Sequence, residues 1–309
     1  SNGYASSPVC SPTRYSVQFG KSPARLGKTR GKGKNKVDHN QIAIPQVLKK
    51  INASYRTAHI GKWHIDAEPD RYDYDVHDGK TGNKTAGFDN NNRDRQWNGY
   101  AEDDPKRVNS ITARAIDFIE DSLVKEQPFF LQLSHYAVHS NLVYSEDSFK
   151  EVGNWKKGEL HLNRAYAAMV RDLDLSIGDL LKAYDALDLK SSTYVILVSD
   201  NGGMPVLPPK LNRGMPYDPG LNSPLLRGKW DLMEGGIRIP FAISGPGIEP
   251  ASQSDVPVVT HDILPTLADL AGRAEGLPKE IDGGSLVPLL RQNKGVVARA
   301  SDSLVFHYP

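Results

Sequence analysis

Cysteine is almost absent from this chain, with a single residue, Cys10, in 309. One thiol cannot close an intrachain disulfide, so no such bridge staples the fold. An excess of charge of either sign is missing as well. The 38 Lys and Arg stand against 37 Asp and Glu, a formal net charge of +1. No global field therefore selects nucleic acid or an anionic membrane. No apolar run approaches the roughly 18 residues of a membrane span, and nothing at the first residues resembles a secretory leader. The G-x-S-x-G elbow of serine hydrolases is absent. Gly27-Lys28-Thr29 and Gly79-Lys80-Thr81 look like phosphate-loop endings, but neither has the earlier glycine that loop requires. What remains is an ordinary globular balance, 39% hydrophobic and 24% charged, in a chain long enough for one large core.

Apolar periodicity switches repeatedly between strand-like and helix-like, which predicts a layered α/β fold. Helices are expected over 42–51, with Pro45 in the first turn, and over 111–124 and 262–270. The longest is expected over 165–187, with Met169, Leu173, Ile177, Leu180 and Leu181 on one face. Strands are expected over 56–60, 129–133, 194–198 and 241–243, the uninterrupted apolar run 194–198 predicting a strand covered on both faces. Two stretches read as surface loops. Residues 26–36 space Lys28, Arg30, Lys32, Lys34 and Lys36 with glycines, as a solvated loop or as a basic rim for polyanions. Residues 66–97, rich in Asp, Asn, Gly and Arg, read as an ordered excursion, either a specificity loop or a connection.

Four motifs stand out against that background. Cys10-Ser11-Pro12-Thr13-Arg14 comes first. Pro8 and Pro12 predict an exposed turn there, and a helix-competent run from about Thr13 would put Cys10 at a helix N-terminus. Unpaired N–H groups and the helix dipole favour anions at such a place. A lone cysteine is otherwise a small buried hydrophobe. Gly61-Lys62-Trp63-His64 follows one expected strand, and Ser199-Asp200-Asn201-Gly202-Gly203 follows another. Lys229 with Glu234-Gly235-Gly236-Ile237-Arg238-Ile239-Pro240 closes the series, and Ala137-Val138-His139 lies after a further strand. Polar clusters beyond the carboxyl ends of strands are where open α/β sheets place their chemistry.

In this order, the four motifs resemble the signatures of type I sulfatases of the alkaline phosphatase superfamily, and they span most of the chain. The resemblance implies an alkaline-phosphatase-like fold, a three-layer α/β/α sandwich with a mostly parallel central sheet. It implies hydrolysis of an aryl or carbohydrate sulfate ester to alcohol and inorganic sulfate. Cys10 would be converted to formylglycine by a formylglycine-generating enzyme, giving an aldehyde whose hydrate attacks sulfur and also ligates the metal. Arg14 would hold and polarise that hydrate, its planar fork suiting fixed geometry. Lys62 and Lys229 would clamp the sulfate, His64 would assist the second half-reaction, and His139 would protonate the leaving oxygen. Asp200 and Asn201 would ligate Ca²⁺, with Mg²⁺ the second choice, although two oxygens fall short of the six to eight or so that Ca²⁺ takes. Asp-Asn-Gly-Gly on its own is more often a plain turn. His135, four residues before His139, leaves open which of the two is the acid, and a metal pair made of both lacks further ligands.

Such enzymes usually carry an earlier strand ending in two metal-binding aspartates, and a small C-terminal subdomain. Neither is found in residues 1–309, which start without Met. The expectation is a single catalytic domain from a longer enzyme, periplasmic or secreted by resemblance, acting on a sulfated small molecule or polysaccharide. A phosphoester or phosphonate-ester hydrolase of the same superfamily is the nearest alternative. A non-catalytic binder of sulfated glycans is another, favoured by the basic run. Nucleic-acid binding has only that run behind it.

Overall fold

The computed structural model describes residues 2–30, 37–86, 98–159, 161, 163–204, 222–272, 277–278, 280–292 and 295–309. They group into two compact units. One contains the residues up to Tyr55, the stretch starting at Lys190 and the stretch Pro224–Pro309, and the other is built on Arg56–Leu189.

In the first unit, helix Cys10–Phe19 is buried along most of its length and stops at Gly20, which takes the left-handed conformation (φ 63°) that glycine adopts without a Cβ penalty. The helix packs on the turn Thr260–Asp262 and on helix Ile263–Leu270. Helix Ile44–Ile51, with proline in its first turn and Lys49 and Lys50 in its last, packs on Ile263–Leu270 too. Strand Gly3–Tyr4 runs parallel to Val258–Val259, and Val195–Val198 runs antiparallel to Phe241–Ser244. Asp262 is fully buried and pairs with Arg299 at 2.6 Å. Its carboxylate also accepts from the Val259 and Gly284 amides, so a single side chain ties three segments together.

The second unit is centred on a parallel sheet in the order Val76–His77, Arg56–Gly61, Phe129–Ser134, with Gly61 opposite Ser134. Helix Val108–Val124 lays Ile111, Ala115 and Phe118 against Ala58 and Ile60 of that sheet, the spacing that an amphipathic helix requires. Helix Arg164–Ala186 packs on it and on Glu146–Gly153, and is capped by the Asn163 side chain, which accepts from the Tyr166 amide. Strands Tyr100–Ala101 and Val143–Tyr144 form a short parallel pair.

Several expectations are corrected. The first helix starts at Cys10 rather than near Thr13, and Cys10 is buried rather than in an exposed turn. Pro12 fits inside the first helical turn because its missing N–H would have no intrahelical acceptor there. The 111–124 helix begins earlier, at Val108. The strand expected to be covered on both faces leaves Leu197 48% exposed, and among the described residues Val195–Val198 pairs with one strand. Lys28 is not solvated. It is buried, with Nζ 5.3 Å from the centroid of the Tyr15 ring, while 31–36 of the basic run and 87–97 of the excursion lie outside the described residues. Among the described residues no helix is long and apolar enough to cross a membrane.

Candidate active site

Cys10 is the first residue of its helix, and Val9 before it is extended and supplies no capping side chain. The positive end of the helix dipole therefore meets Cys10 without a capping group. Arg14, one turn on, donates from Nε to Asp200 Oδ2 at 2.8 Å, with side chains 11% and 26% exposed. That charge-assisted bond joins the Cys10 helix to the turn after strand Val195–Val198.

The turn itself is held by close backbone packing. The Gly202 amide donates to the Gly236 carbonyl at 2.8 Å, and the Gly235 amide to the Leu226 carbonyl at 2.8 Å. A β-carbon on Gly202 would overlap the Gly235 carbonyl oxygen, and one on Gly235 would overlap the carbonyls of Leu226 and Arg227. Only glycine permits this approach. The Lys229 amide reaches the Gly203 carbonyl at 2.9 Å, and the next amide, of Trp230, reaches Pro8 at 3.0 Å. Lys229 is buried, with Nζ over the Trp230 ring. One unit thus gathers Cys10, Arg14, Asp200, Asn201 and Lys229 from three distant stretches of sequence.

Asn201 shows what this turn can hold. Its Nδ2 donates to the Gly202 carbonyl at 2.8 Å, which orients the amide, and among the described residues its buried Oδ1 accepts no hydrogen bond. A buried acceptor without a donor is costly, and a hard cation would satisfy it. With the Asp200 carboxylate alongside in sequence, the donors fit part of a Ca²⁺ shell. Among the described residues no three His, Cys, Asp or Glu side chains form a metal cluster, so further oxygens would be needed.

In the second unit, Gly61 ends its strand with φ 96°, where a β-carbon would overlap the Ser134 carbonyl. The Lys62 amide donates to that carbonyl at 2.8 Å, and Lys62 is buried. Trp63, 1% exposed, is wedged among His59, Tyr72 and Tyr74, and its Nε1 donates to the Ala67 carbonyl. With Trp63 locked, the backbone on either side of it is fixed. His64 takes a left-handed backbone (φ 60°) and donates its amide to the Thr81 carbonyl at 2.8 Å.

His139 follows the neighbouring strand. Its Nδ1 lies 2.7 Å from the Ser140 carbonyl oxygen, and since a carbonyl only accepts, Nδ1 carries hydrogen. Nε2 is then the nitrogen that can gain and lose a proton. His135 is used otherwise. Its Nε2 bonds Thr112 Oγ1 at 3.0 Å, and Thr112 Oγ1 lies 2.7 Å from Ser176 Oγ, within the packing of the two long helices. Burial pushes His135 down to about 4, which keeps it neutral near pH 7 and unsuited to act as an acid.

Two positioning residues escaped the sequence reading. Thr81 Oγ1 donates to the Gly61 carbonyl at 2.6 Å and accepts from the Trp63 amide at 2.7 Å. Asp78 accepts from the Gly61 amide at 2.8 Å and pairs with Arg114. Burial pushes the Asp78 carboxyl up, but the Arg114 and Gly61 hydrogen bonds outweigh it and the net shift is downward. The only signal for either was membership of the 66–97 excursion; the rejected Gly79-Lys80-Thr81 ending carries a clasp rather than a phosphate.

A family model described as Sulfatase matches residues 1–273. N-acetylgalactosamine-6-sulfatase of Sus scrofa is 28% identical over 99% of this chain, which spans 60% of that relative's length. The solved structure of Ps i-CgsB in complex with k-i-k-neocarrahexaose is 25% identical with a TM-score of 0.73, covering 95% of this chain and 68% of that one. A protein solved in complex with its substrate D-glucosamine-2-N,6-O-disulfate is 19% identical with a TM-score of 0.70, covering all of this chain (100%) and 76% of its own. These likenesses agree with the alkaline-phosphatase-like α/β fold expected from the sequence.

Proposed function

The chain belongs to the sulfatase family, and from that premise we propose that it is the catalytic domain of an exported enzyme that hydrolyses a carbohydrate sulfate ester to alcohol and inorganic sulfate. The observation that carries this reading is the gathering of Cys10, Arg14, Asp200 and Asn201 in one unit, with the buried Asn201 Oδ1 accepting no hydrogen bond among the described residues. The carbohydrate class is supported by the similarity to N-acetylgalactosamine-6-sulfatase over nearly the whole chain.

Formylglycine made from Cys10 by a formylglycine-generating enzyme would supply a hydrated aldehyde as nucleophile, and Ca²⁺ would supply charge at the sulfate. Asp200 and Asn201 would hold the cation. Arg14 would fix the modified side chain through its planar guanidinium while Asp200 fixes Arg14. The buried ammonium groups of Lys62 and Lys229 would each stabilise charge developing on sulfuryl oxygens. His139 would pass a proton from Nε2 to the leaving alcohol oxygen, the Ser140 carbonyl stabilising the protonated ring through Nδ1. His64, with its backbone held by Thr81, would take a proton as sulfate departs.

The first test is the mass of the tryptic peptide carrying Cys10 after aerobic co-expression with a formylglycine-generating enzyme. The expected peptide carries an aldehyde in place of the thiol. An intact thiol, with a control sulfatase converted in the same cells, would overturn the nucleophile and leave the glycan-binder reading. Turnover of a sulfated aminosugar against an aryl phosphate, in the longest native gene product containing this chain, then tests the substrate; faster phosphate turnover would point to the phosphoester hydrolase.

A further inference from the structure

Trp230, the residue after Lys229, sits where a smaller residue would be easier to place. Its backbone is left-handed (φ 77°), and so is that of Arg227 three residues earlier (φ 61°). A bulky side chain rarely adopts that conformation, and strain of this kind persists only where the surroundings enforce it. Here the enforcement is visible. The Trp230 amide is held by the carbonyl of Pro8, two residues before Cys10, and the Lys229 amide by that of Gly203. The Asp231 amide donates to the Gly228 carbonyl at 3.0 Å, and the Asp231 carboxylate accepts from the Met233 amide and pairs with Arg227 at 2.9 Å. Behind this loop, a β-carbon on Gly235 would overlap the Arg227 carbonyl, and one on Gly236 would overlap those of Gly228 and Asp231. Residues 226–233 are therefore clamped to the backbone that carries the candidate nucleophile.

The indole held in this way is not spent on the core. Trp230 is 39% exposed, and Leu226, Leu232 and Met233 of the same loop are exposed too. Glycine would suit the left-handed backbone better, so neither chain geometry nor core packing gives a reason for tryptophan at 230. Its position beside Lys229 does. The buried Lys229 Nζ lies 5.7 Å from the centroid of the indole ring. An ammonium that holds a sulfuryl oxygen at about 2.8 Å leaves the alcohol half of the ester a few bonds further out, within reach of the exposed indole. A pyranose ring offers a flat face of C–H groups bounded by hydroxyls, and an aromatic face with open edges matches that mixture of apolar and polar surface. Because the loop is already fixed, little ordering is needed when the sugar arrives.

We propose that Trp230 is a stacking platform for the pyranose ring that bears the sulfate, so that it selects cyclic sugar sulfates over sulfates without a ring. This rests on the reading of the chain as a carbohydrate sulfatase. Lys229 receives the charged end of the substrate, and Trp230 receives the sugar.

The test uses Trp230→Ala and Trp230→Tyr in the longest native gene product containing this chain, with a sulfated aminosugar and inorganic sulfate as probes. Trp230→Ala is expected to raise KM for the sulfated sugar about tenfold, the loss of one good aromatic contact, while Ki for inorganic sulfate changes less than about twofold. Trp230→Tyr is expected to recover most of the loss. KM and Ki rising together in Trp230→Ala would overturn the proposal, because the indole would then be supporting Lys229 rather than the sugar. Neither changing would overturn it too. A binding measurement stands apart from turnover. In protein made without the formylglycine-generating enzyme, the sulfated aminosugar is expected to shield part of the tryptophan emission from acrylamide quenching. Inorganic sulfate is expected to give no shielding, and Trp230→Tyr is expected to lose it. Should Trp230→Ala fail to fold, absence of shielding in wild type, or equal shielding by inorganic sulfate, would overturn the proposal just as well. Failure of the converted wild type to cleave any sulfate ester would refute the sulfatase reading instead, while the shielding would still decide the role of Trp230.

Discussion

Replacing Asn201 with alanine should leave the metal-free protein as stable as wild type, or more so, while removing its response to calcium. The variant loses the Nδ2 bond to the Gly202 carbonyl, a net cost of about 1 kcal/mol. It also removes a buried Oδ1 that accepts no hydrogen bond among the described residues, a relief of about 1–3 kcal/mol. In chelator the balance therefore lies between no change and roughly 2 kcal/mol in favour of the variant. In calcium the sign reverses. Wild type at a hundredfold excess over Kd gains about 2.7 kcal/mol, and a variant without one ligand forfeits most of that gain. The assay is paired thermal melts of the longest native gene product, wild type and Asn201→Ala, in EGTA and in excess calcium. At roughly 2–4 °C per kcal/mol for a domain of this size, the wild-type calcium shift should be several degrees and the variant's close to none. A variant that melts below wild type by the same margin in both conditions would refute the reasoning, because Oδ1 would then be serving the fold rather than a cation.

Acid should weaken the second unit through His135. Its folded pKa is pushed below the unfolded value of about 6.5 to about 4, so the unfolded chain binds the extra proton first. The His135 contribution is whole above about pH 6.5, falls as pH drops toward about 4, and levels off below; the total is up to about 3 kcal/mol. Denaturant melts across that window should show the slope in wild type and a shallower one in His135→Gln. Arg299→Met should cost about 3–5 kcal/mol, because it strands the fully buried Asp262 carboxylate. Urea unfolding checks this, and a loss under 1 kcal/mol would mean that the Val259 and Gly284 amides carry Asp262 unaided.

Much of this protein was legible in the linear sequence, and for a local reason. Turn chemistry and apolar periodicity act over a few residues, so the glycine turn after Val195–Val198, the amphipathic helix Val108–Val124 and the Gly61–His64 motif could be read directly. Element edges drifted by a few residues, since capping depends on what the end packs against. The Cys10 turn was misread as exposed because prolines signal loops, whereas its burial comes from Thr260–Asp262 and Ile263–Leu270, some 250 positions away.

The candidate chemistry is divided in the same way. Which side chains could do the work was written in the four motifs, because a nucleophile, a guanidinium, hard oxygens and lysines are properties of residue types. How they are held came from folding. Arg14 meets Asp200 across 186 positions, Thr81 reaches Gly61 across 20, and Asp78 reaches the Gly61 amide across 17. Those contacts depend on strand pairing and backbone stacking, which no short window specifies. Lys106 is the sharpest case. Nothing in a stretch of Asp, Pro and Arg marks a lysine for burial, yet Lys106, in the left-handed turn after Asp104, is 1% exposed. Side-chain chemistry travels with the sequence, while burial and the company a side chain keeps arise when distant segments pack and exclude water.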